Sequence, residues 1–319
     1  MGEQSSESES ESESGQRRSD RRPVVSMILA TNRVSPFLAE ALDSMAGQSF
    51  GDMEIIVVDD GCPDRVGLGA VLARYPDLVV IRREAAGVSS ARNAGVDHAR
   101  GHLVGFFDDD DRYPSDWVER HVRAHAARPD VMLTYGDVRS IDVAGRELAV
   151  DRSGPTDVHA LHRREVSIIA GSMVFRRDSY IGAGGMNPLF RLAADLDLVL
   201  RLAGRGPVAY VPGLVRDYRT HPGNVTRRHR ELVACIDGIL RMHRAAAIRA
   251  GRDDLVADLR VGRAANGRFA FWSAARAAGT ALRSRRPLGA VGELAWAFRV
   301  APTAPLSWLG RRLPARRDP

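Results

Sequence analysis

Along the first third of the chain, short apolar runs alternate with stretches whose apolar residues recur every three or four positions. Val24-Val25-Ser26-Met27-Ile28-Leu29-Ala30 reads as a buried strand, and Ser35 to Met45 as a helix with Phe37, Leu38, Leu42 and Met45 on one face. Glu54-Ile55-Ile56-Val57-Val58 is a second strand, closed by Asp59-Asp60-Gly61. Val66 to Tyr75 predicts a helix, Leu78 to Ile81 a strand, Ser89 to Arg100 a helix, and His102 to Phe107 a fourth strand. Strands and helices alternating at this spacing predict a largely parallel, doubly wound α/β sheet, whose ligands bind beyond the carboxyl ends of the strands.

The pattern loosens after residue 130. Strands are expected at Val131 to Tyr135 and within Ile168 to Phe175, and an amphipathic helix at Leu192 to Ala203. Val208 to Val211 and Leu214 to Tyr218 read as two short strands around a Pro212-Gly213 turn. From residue 228 the chain is rich in Ala, Arg and Leu and reads as helical, with breaks at Pro287, Pro302 and Pro305. The expected organisation is a disordered tail over 1–22, a catalytic domain over 23–226 and a helical region over 227–319. No internal repeat is evident, and residues 136–170 match no interpretable chemistry.

Composition narrows the functional classes. All 46 basic residues are Arg, which excludes a mechanism built on a lysine nucleophile or a Walker-type lysine. Cys62 and Cys235 lie far apart without metal-type spacing and point to a reducing, cytoplasmic setting. No run of about eighteen apolar residues predicts a membrane span, and the polar first 22 residues lack a signal-peptide core. The net charge of +6 is uneven: residues 241–319 hold 16 Arg against 5 acidic residues, a net of +11, which leaves −5 for the rest. A basic end can meet an anionic surface or be a solvated helix face.

The sharpest chemical signal is Phe107-Asp108-Asp109-Asp110-Asp111, an apolar strand running into four carboxylates. Adjacent carboxylates repel and resist burial, so such a cluster at a strand end suits a hard divalent cation shared with a diphosphate. A solvated acidic turn capping the helix near Pro114 and Trp117 is the plainer alternative. Asp59-Asp60 falls at the same sheet edge, and an isolated turn does not explain that coincidence. Extended backbone alternates its side chains, so Asp108 and Asp110 are expected to converge and Asp109 to face solvent.

Five separated motifs, in order over roughly residues 24–226, resemble the family 2 glycosyltransferases of the GT-A fold. Val25 to Arg33 resembles the first strand and its nucleotide-edge loop, with Leu29, Ala30 and Thr31 where Pro, Thr and Tyr are usual. The resemblance implies donor contacts at Thr31, Asn32 and Arg33, without the usual aromatic ring. Ile55 to Cys62 resembles a strand ending in Asp-Asp-Gly-Ser. This implies that Asp59 accepts a hydrogen bond from a uracil N–H, although an Asx-type turn would use the same residue. Gly87-Val88-Ser89-Ser90-Ala91-Arg92-Asn93-Ala94-Gly95 resembles the Gly-x-x-x-Ala-Arg-Asn-x-Gly helix; Arg92 is then a diphosphate partner or an ion pair of the acidic quartet. The quartet resembles Asp-x-Asp-Asp, implying a metal ligand at Asp110, a sugar or ribose contact at Asp108, and a water-bridged or helix-capping Asp111.

Gly184-Gly185-Met186-Asn187 followed by Ala194-Asp195-Leu196-Asp197-Leu198 resembles the acceptor side, implying Asp195 as catalytic base, with Ala194 in place of the usual Glu. Both aspartates also suit a helix start, and Asp197 is expected to orient a neighbour or cap the helix. Tyr218-Arg219-Thr220-His221-Pro222-Gly223-Asn224 resembles the closing segment, where His221 is a second metal ligand or a loop hydrogen-bonder.

What the resemblance implies is an inverting glycosyltransferase dependent on Mg²⁺ or Mn²⁺. Its donor would be a nucleotide-sugar, UDP- or dTDP-linked, and its acceptor a glycan, lipid-linked or small molecule, with no nucleic acid as partner. The altered first loop and Ala194 also suit a catalytically silent nucleotide-sugar-binding module. A sugar-phosphate nucleotidyltransferase fits less well, since its Gly-rich basic opening loop is missing, and no Gly-x-Gly-x-x-Gly supports a nicotinamide enzyme. Leu294, Trp296, Phe298, Trp308 and Leu309 among Arg299, Arg311 and Arg312 suit peripheral contact with the inner face of a membrane, or packing against the catalytic domain.

Overall fold

In the computed structural model, residues 22–224, 227–302 and 304 are described. The expected tail over 1–22 therefore lies almost entirely outside the described residues, as do Pro305, Trp308, Leu309, Arg311 and Arg312.

The elements run β1 (Val25–Thr31), α1 (Leu38–Ala46), β2 (Met53–Asp60), α2 (Arg65–Leu72), β3 (Val79–Arg83), α3 (Val88–His98), β4 (Leu103–Phe107) and α4 (Trp117–Ala127). There follow β5 (Leu133–Ile141), β6 (Glu147–Asp151), α5 (Val158–His162), β7 (Met173–Arg176), α6 (Arg177–Gly182), α7 (Ala194–Ala203) and β8 (Val208–Arg219). Three helices close the described chain: α8 (His229–Arg249), α9 (Asp253–Arg283) and α10 (Pro287–Val300). No helix among the described residues is long and apolar enough to cross a membrane.

The sheet has the order β3-β2-β1-β4-β7-β5-β6, and β8 pairs with β5. β3, β2, β1 and β4 are parallel, β7 is antiparallel to both β4 and β5, and β8 runs parallel to β5. The α/β sheet is thus mixed and mostly parallel, with helices on both faces. Alternation along β1 splits its side chains between two cores. Ile28 packs with Ile56, Ala91 and Phe106 on one face, and Met27 and Leu29 with Leu42, Leu68 and Trp117 on the other. Gly95 in α3 lies against Ile28, where a Cβ would come within 2.5 Å of Ile28 Cγ2, so its lack of a side chain sets how closely helix meets sheet.

The two short strands expected around Pro212-Gly213 are one strand, β8. Gly136 is in register with Val211 and Asp137 with Leu214, so Pro212 and Gly213 bulge out of a continuous ladder. Gly213 takes φ +95°, a conformation open to glycine. The ladder carries β8 to Arg219 and brings the last motif back beside the acidic quartet.

The helices after residue 227 share the core of the sheet. Ile236, Ile239 and Leu240 of α8 and Leu255, Val256 and Leu259 of α9 belong to the same buried cluster as Leu133, Phe175 and Leu198. On α10, Leu294 and Phe298 are exposed, whereas Trp296 is half-buried, with the Arg230 guanidinium 5.3 Å from its ring centre.

Candidate active site

The carboxyl ends of β1, β2 and β4, the loop before α7 and the start of α8 enclose a cavity of about 690 Å³. Thr31, Asn32, Arg33, Asp60, Arg92, Asp108, Asp109 and Asp110 line one side of it. Ile168, Ile169, Phe190, Ala194, Asp195 and Leu196 are among the residues lining the other.

The acidic quartet divides its labour. Asp108 accepts hydrogen bonds from Arg92 (2.5 Å) and Arg216 (2.7 Å). Burial would raise its pKa, but the two guanidinium groups outweigh that and hold it below the usual carboxylate range. Asp110 takes Arg33 at 2.9 Å and His221 at 3.1 Å, both on Oδ2.

Asp109 does not face solvent as alternation predicted. It is buried, accepts from the Thr31 hydroxyl at 2.7 Å and pairs with Arg33 at 2.9 Å. Extended geometry ends at Phe107 and the chain turns at Asp109-Asp110, so the period of two no longer applies. Burial pushes Asp109 upward, against the bonds from Arg33 and Thr31. Asp111 neither caps the next helix nor reaches water. It is fully buried, ion-paired to Arg216, and accepts the Arg219 backbone N–H at 2.7 Å. Burial raises its pKa to about 7, with Arg216 pulling the other way. The following helix instead starts at Trp117, with Asp116 preceding it.

Arg216 read only as a strand residue in the sequence, and Arg219 only as a member of the closing motif, with no role given to either. Arg219 is 1% exposed: it donates to Glu40 at 2.6 Å and to the Asp110 carbonyl at 2.9 Å, and stacks over Phe37 at 4.3 Å. Two arginines within the four residues that end a largely apolar strand were the available signal, since buried charge demands a partner.

At the β2 end, the two acids have different tasks. Asp59 is buried and accepts the Cys62 backbone N–H at 2.8 Å, forming an Asx-type turn, and it does not line the cavity. Asp60 does, and it accepts the backbone N–H groups of Ala86 (3.1 Å) and Gly87 (2.8 Å), fixing the loop into α3. Asn93 on α3 ties the acceptor loop down by bonding both the N–H and the carbonyl of Met186, each at 2.9 Å.

Asp195 sits in the first turn of α7, after Ala193 in left-handed backbone with φ 56°. Its carboxylate receives the Leu196 N–H at 2.9 Å and the Ala170 N–H at 3.3 Å. Burial pushes its pKa upward, with Arg92 opposing and Asp108 adding to the rise. Asp197 turns away and binds Arg201 (2.6 Å) and His243 (2.9 Å), anchoring α7 to α8.

Among the described residues no three His, Cys, Asp or Glu side chains converge as a metal cage. Asp110 and His221 provide one oxygen and one nitrogen donor. His221 Nδ1 accepts the Gly223 N–H at 3.1 Å, so its Nε2 carries the proton aimed at Asp110. Asp110 fits a divalent cation that takes most of its ligands from a diphosphate and water, as Mg²⁺ commonly does; His221 would join it only in the other tautomer, with Nδ1 protonated and the Gly223 bond given up.

A mostly parallel sheet with an acidic edge on one pocket defines an α/β protein of the GT-A type. The sequence pattern described as Glycosyl transferase family 2 matches residues 26–182, and over that stretch the chain is similar to that family. It is 43% identical over 100 residues to the uncharacterized glycosyltransferase EpsJ of Bacillus subtilis, which is 31% of this chain and 29% of EpsJ. It is 28% identical over 197 residues to the amylovoran biosynthesis glycosyltransferase AmsE of Erwinia amylovora, covering 60% of this chain and 73% of AmsE. The chain thus spans under a third of EpsJ, and 64% of EpsH, another putative glycosyltransferase of Bacillus subtilis. In fold it is similar to S. aureus TarS 1-349 in complex with UDP-GlcNAc, with TM-score 0.60 at 15% identity over 89% of this chain and 92% of that one. The mannosyltransferase PcManGT from Pyrobaculum calidifontis, in complex with GDP-Man and Mn²⁺, has TM-score 0.58 at 19% identity, covering 92% of this chain and 81% of that one.

Proposed function

We propose that this protein transfers a sugar, with inversion, from a UDP- or dTDP-linked nucleotide-diphosphate sugar to an acceptor hydroxyl. The observation that carries the reading is that Asp195 lines the same cavity as Asp108 and Asp110. A base and a donor-side acidic pair on one pocket are what in-line displacement at an anomeric carbon requires. Structural neighbours that hold UDP-GlcNAc and GDP-Man support it.

In this reading the acceptor oxygen attacks the anomeric carbon, and the bond from that carbon to the phosphate oxygen breaks on the opposite face. The nucleoside diphosphate leaves, and the acceptor proton passes to Asp195. An unperturbed carboxylate has a pKa near 4, and the burial that raises Asp195 makes it a better proton acceptor at neutral pH. Thr31, Asn32 and Arg33 bound the donor end, and Arg92 and Arg216 keep Asp108 ionised and aimed. Asp110, with His221 in its Nδ1-protonated tautomer, would hold Mg²⁺ or Mn²⁺, which when bound offsets charge on the leaving diphosphate. Asp59 reaches the donor in this scheme only through the turn it holds.

The test is nucleotide release from a panel of UDP-, dTDP- and GDP-sugars, with Mn²⁺ and with chelator, alongside thermal stabilisation by each nucleotide. Stabilisation with turnover supports the transferase. Stabilisation without turnover toward any acceptor or water points to the silent binding module, and neither outcome with any donor removes the reading. The same proposal places the chain in the cytoplasm, with peripheral contact at the inner membrane face through the exposed Leu294, Phe298 and Arg299 of α10. Absence of co-sedimentation with anionic vesicles at low salt would discard that contact.

A further inference from the structure

Arg164 lines the apolar side of the cavity, opposite in character to the acidic edge. It follows α5 in left-handed backbone, φ 58°, where the Arg164 N–H donates to the Leu161 carbonyl at 3.0 Å and the Glu165 N–H to Ala160 at 2.9 Å. Glycine is the usual residue at such a helix end, because a side chain there is strained. α9 holds this helix end in place: Gly262 lies so close that a Cβ would come within 2.2 Å of the His162 carbonyl oxygen.

The guanidinium donates to Asn266 Oδ1 at 2.9 Å and lies 6.0 Å from the Phe269 ring centre. Asn266 is itself buried and donates to the Val233 carbonyl at 3.0 Å, which fixes its oxygen toward Arg164. Among the described residues Arg164 makes no ion pair, and burial alone lowers its pKa. An arginine keeps its charge in proteins, so a cation stands without counter-charge in a wall formed by Val166, Ile168, Phe190, Leu196, Leu232 and Ile236. The three carboxylates of the acidic edge cannot supply that charge, since Asp108, Asp109 and Asp110 already meet Arg92, Arg216 and Arg33; Asp195, the acid on the same side of the cavity, forms no ion pair with Arg164 and is held instead by the Leu196 and Ala170 N–H groups.

We propose that Arg164 recognises an anionic group on the acceptor, and that the acceptor is an apolar-bodied monoanion bearing a carboxylate or a phosphodiester. One half-buried guanidinium balances one negative charge and matches either oxyanion with paired N–H donors. The apolar wall takes the rest of the molecule. The word acceptor rests on the transferase reading; the anion site itself does not.

The test is calorimetric binding to the full chain of three probes of similar apolar size: hexanoate, dibutyl phosphate and the uncharged hexyl β-glucoside. Nucleotide stabilisation, measured separately, reports on the donor side, so failure of the transferase reading remains distinguishable. Wild type is expected to bind at least one anion about tenfold or more tightly than the neutral probe, and the tighter anion tells carboxylate from diester. Arg164→Gln, which can still bond Asn266, is expected to lose that preference, and Arg164→Lys to retain part of it. Equal binding of charged and neutral probes, or no anion binding, by wild type overturns the proposal. So does a preference that survives in Arg164→Gln. Should Arg164→Gln not fold, the wild-type comparison and Arg164→Lys decide alone.

Discussion

On the acidic side of the cavity, Asp108, Asp109 and Asp110 each meet an arginine at 2.9 Å or less; on the opposite side, apolar side chains surround Arg164, which makes no ion pair among the described residues. The first wall is a closed network of opposed charges, rigid before any ligand arrives. Buried ion pairs contribute little net stability but fix geometry, because breaking one strands a charge. The second wall is held by hydrophobic packing and leaves one charge for a ligand to satisfy. Chemistry common to many donors calls for the first construction, and selection among acceptors for the second.

The sharpest break in that comparison comes at the residue between the walls. Asp195→Asn is expected to lower turnover by about 10²–10⁴-fold while nucleotide binding stays near wild type, read from steady-state rates beside calorimetry. The same carboxylate sets a pH limb. A base with a raised pKa must lose its proton to act, so activity falls as pH drops through a value above the ordinary carboxylate range. A variant that kept its rate would shift the base elsewhere.

Next in size is the donor network. Arg216→Met strands Asp111, which is fully buried, and removes one partner of Asp108. Urea unfolding should show a loss of about 3–5 kcal/mol; a loss under about 1 kcal/mol would mean that the network behaves like surface ion pairs. Behind it, His125 is held neutral by burial, its pKa pushed down to about 4. Between that value and about 6.5 the unfolded chain binds the extra proton, so the share of stability that His125 contributes falls as pH drops through this window, by up to about 3 kcal/mol, against the opposite trend from Asp111 with its raised pKa. A difference in stability between wild type and His125→Gln that stays flat over that range, measured by unfolding at fixed salt, would contradict the assignment. Gly95→Ala is expected to cost about 1–3 kcal/mol by overpacking Ile28, with the donor edge unchanged in nucleotide affinity. Smallest of all, Asp110→Asn should leave folding intact and abolish only the gain in UDP affinity that Mn²⁺ brings, seen by titration with and without the ion.

How much of this was legible in the sequence differs along the chain. β1, β2 and β4 were readable because each is a continuous buried run closed by a turn or an acid. α5 was not, since five residues are too few for a helical period to emerge. β8 looked like two strands because a proline and a glycine that bulge from a ladder carry the same local signature as a tight turn. In the quartet, residue type announced a site, but only the turn after Phe107 decides which acids face the cavity and which are locked inside. Arg216 lies 105 residues from Asp111, and nothing local marks such a partnership. Arg164 was hidden for a related reason: its meaning lies in what is absent around it in space.

The shared core that joins α8 and α9 to the sheet has a practical consequence for anyone shortening this protein. A fragment ending at residue 224 would keep every motif named above, yet would bare the greasy flank that Ile236, Ile239, Leu240 and Leu259 cover, and would lose the part of the cavity lining that Leu232 and Ile236 supply. With that core bared, such a fragment should be recovered as aggregate, so the motif-bearing portion is not a portable module that can be grafted onto another chain.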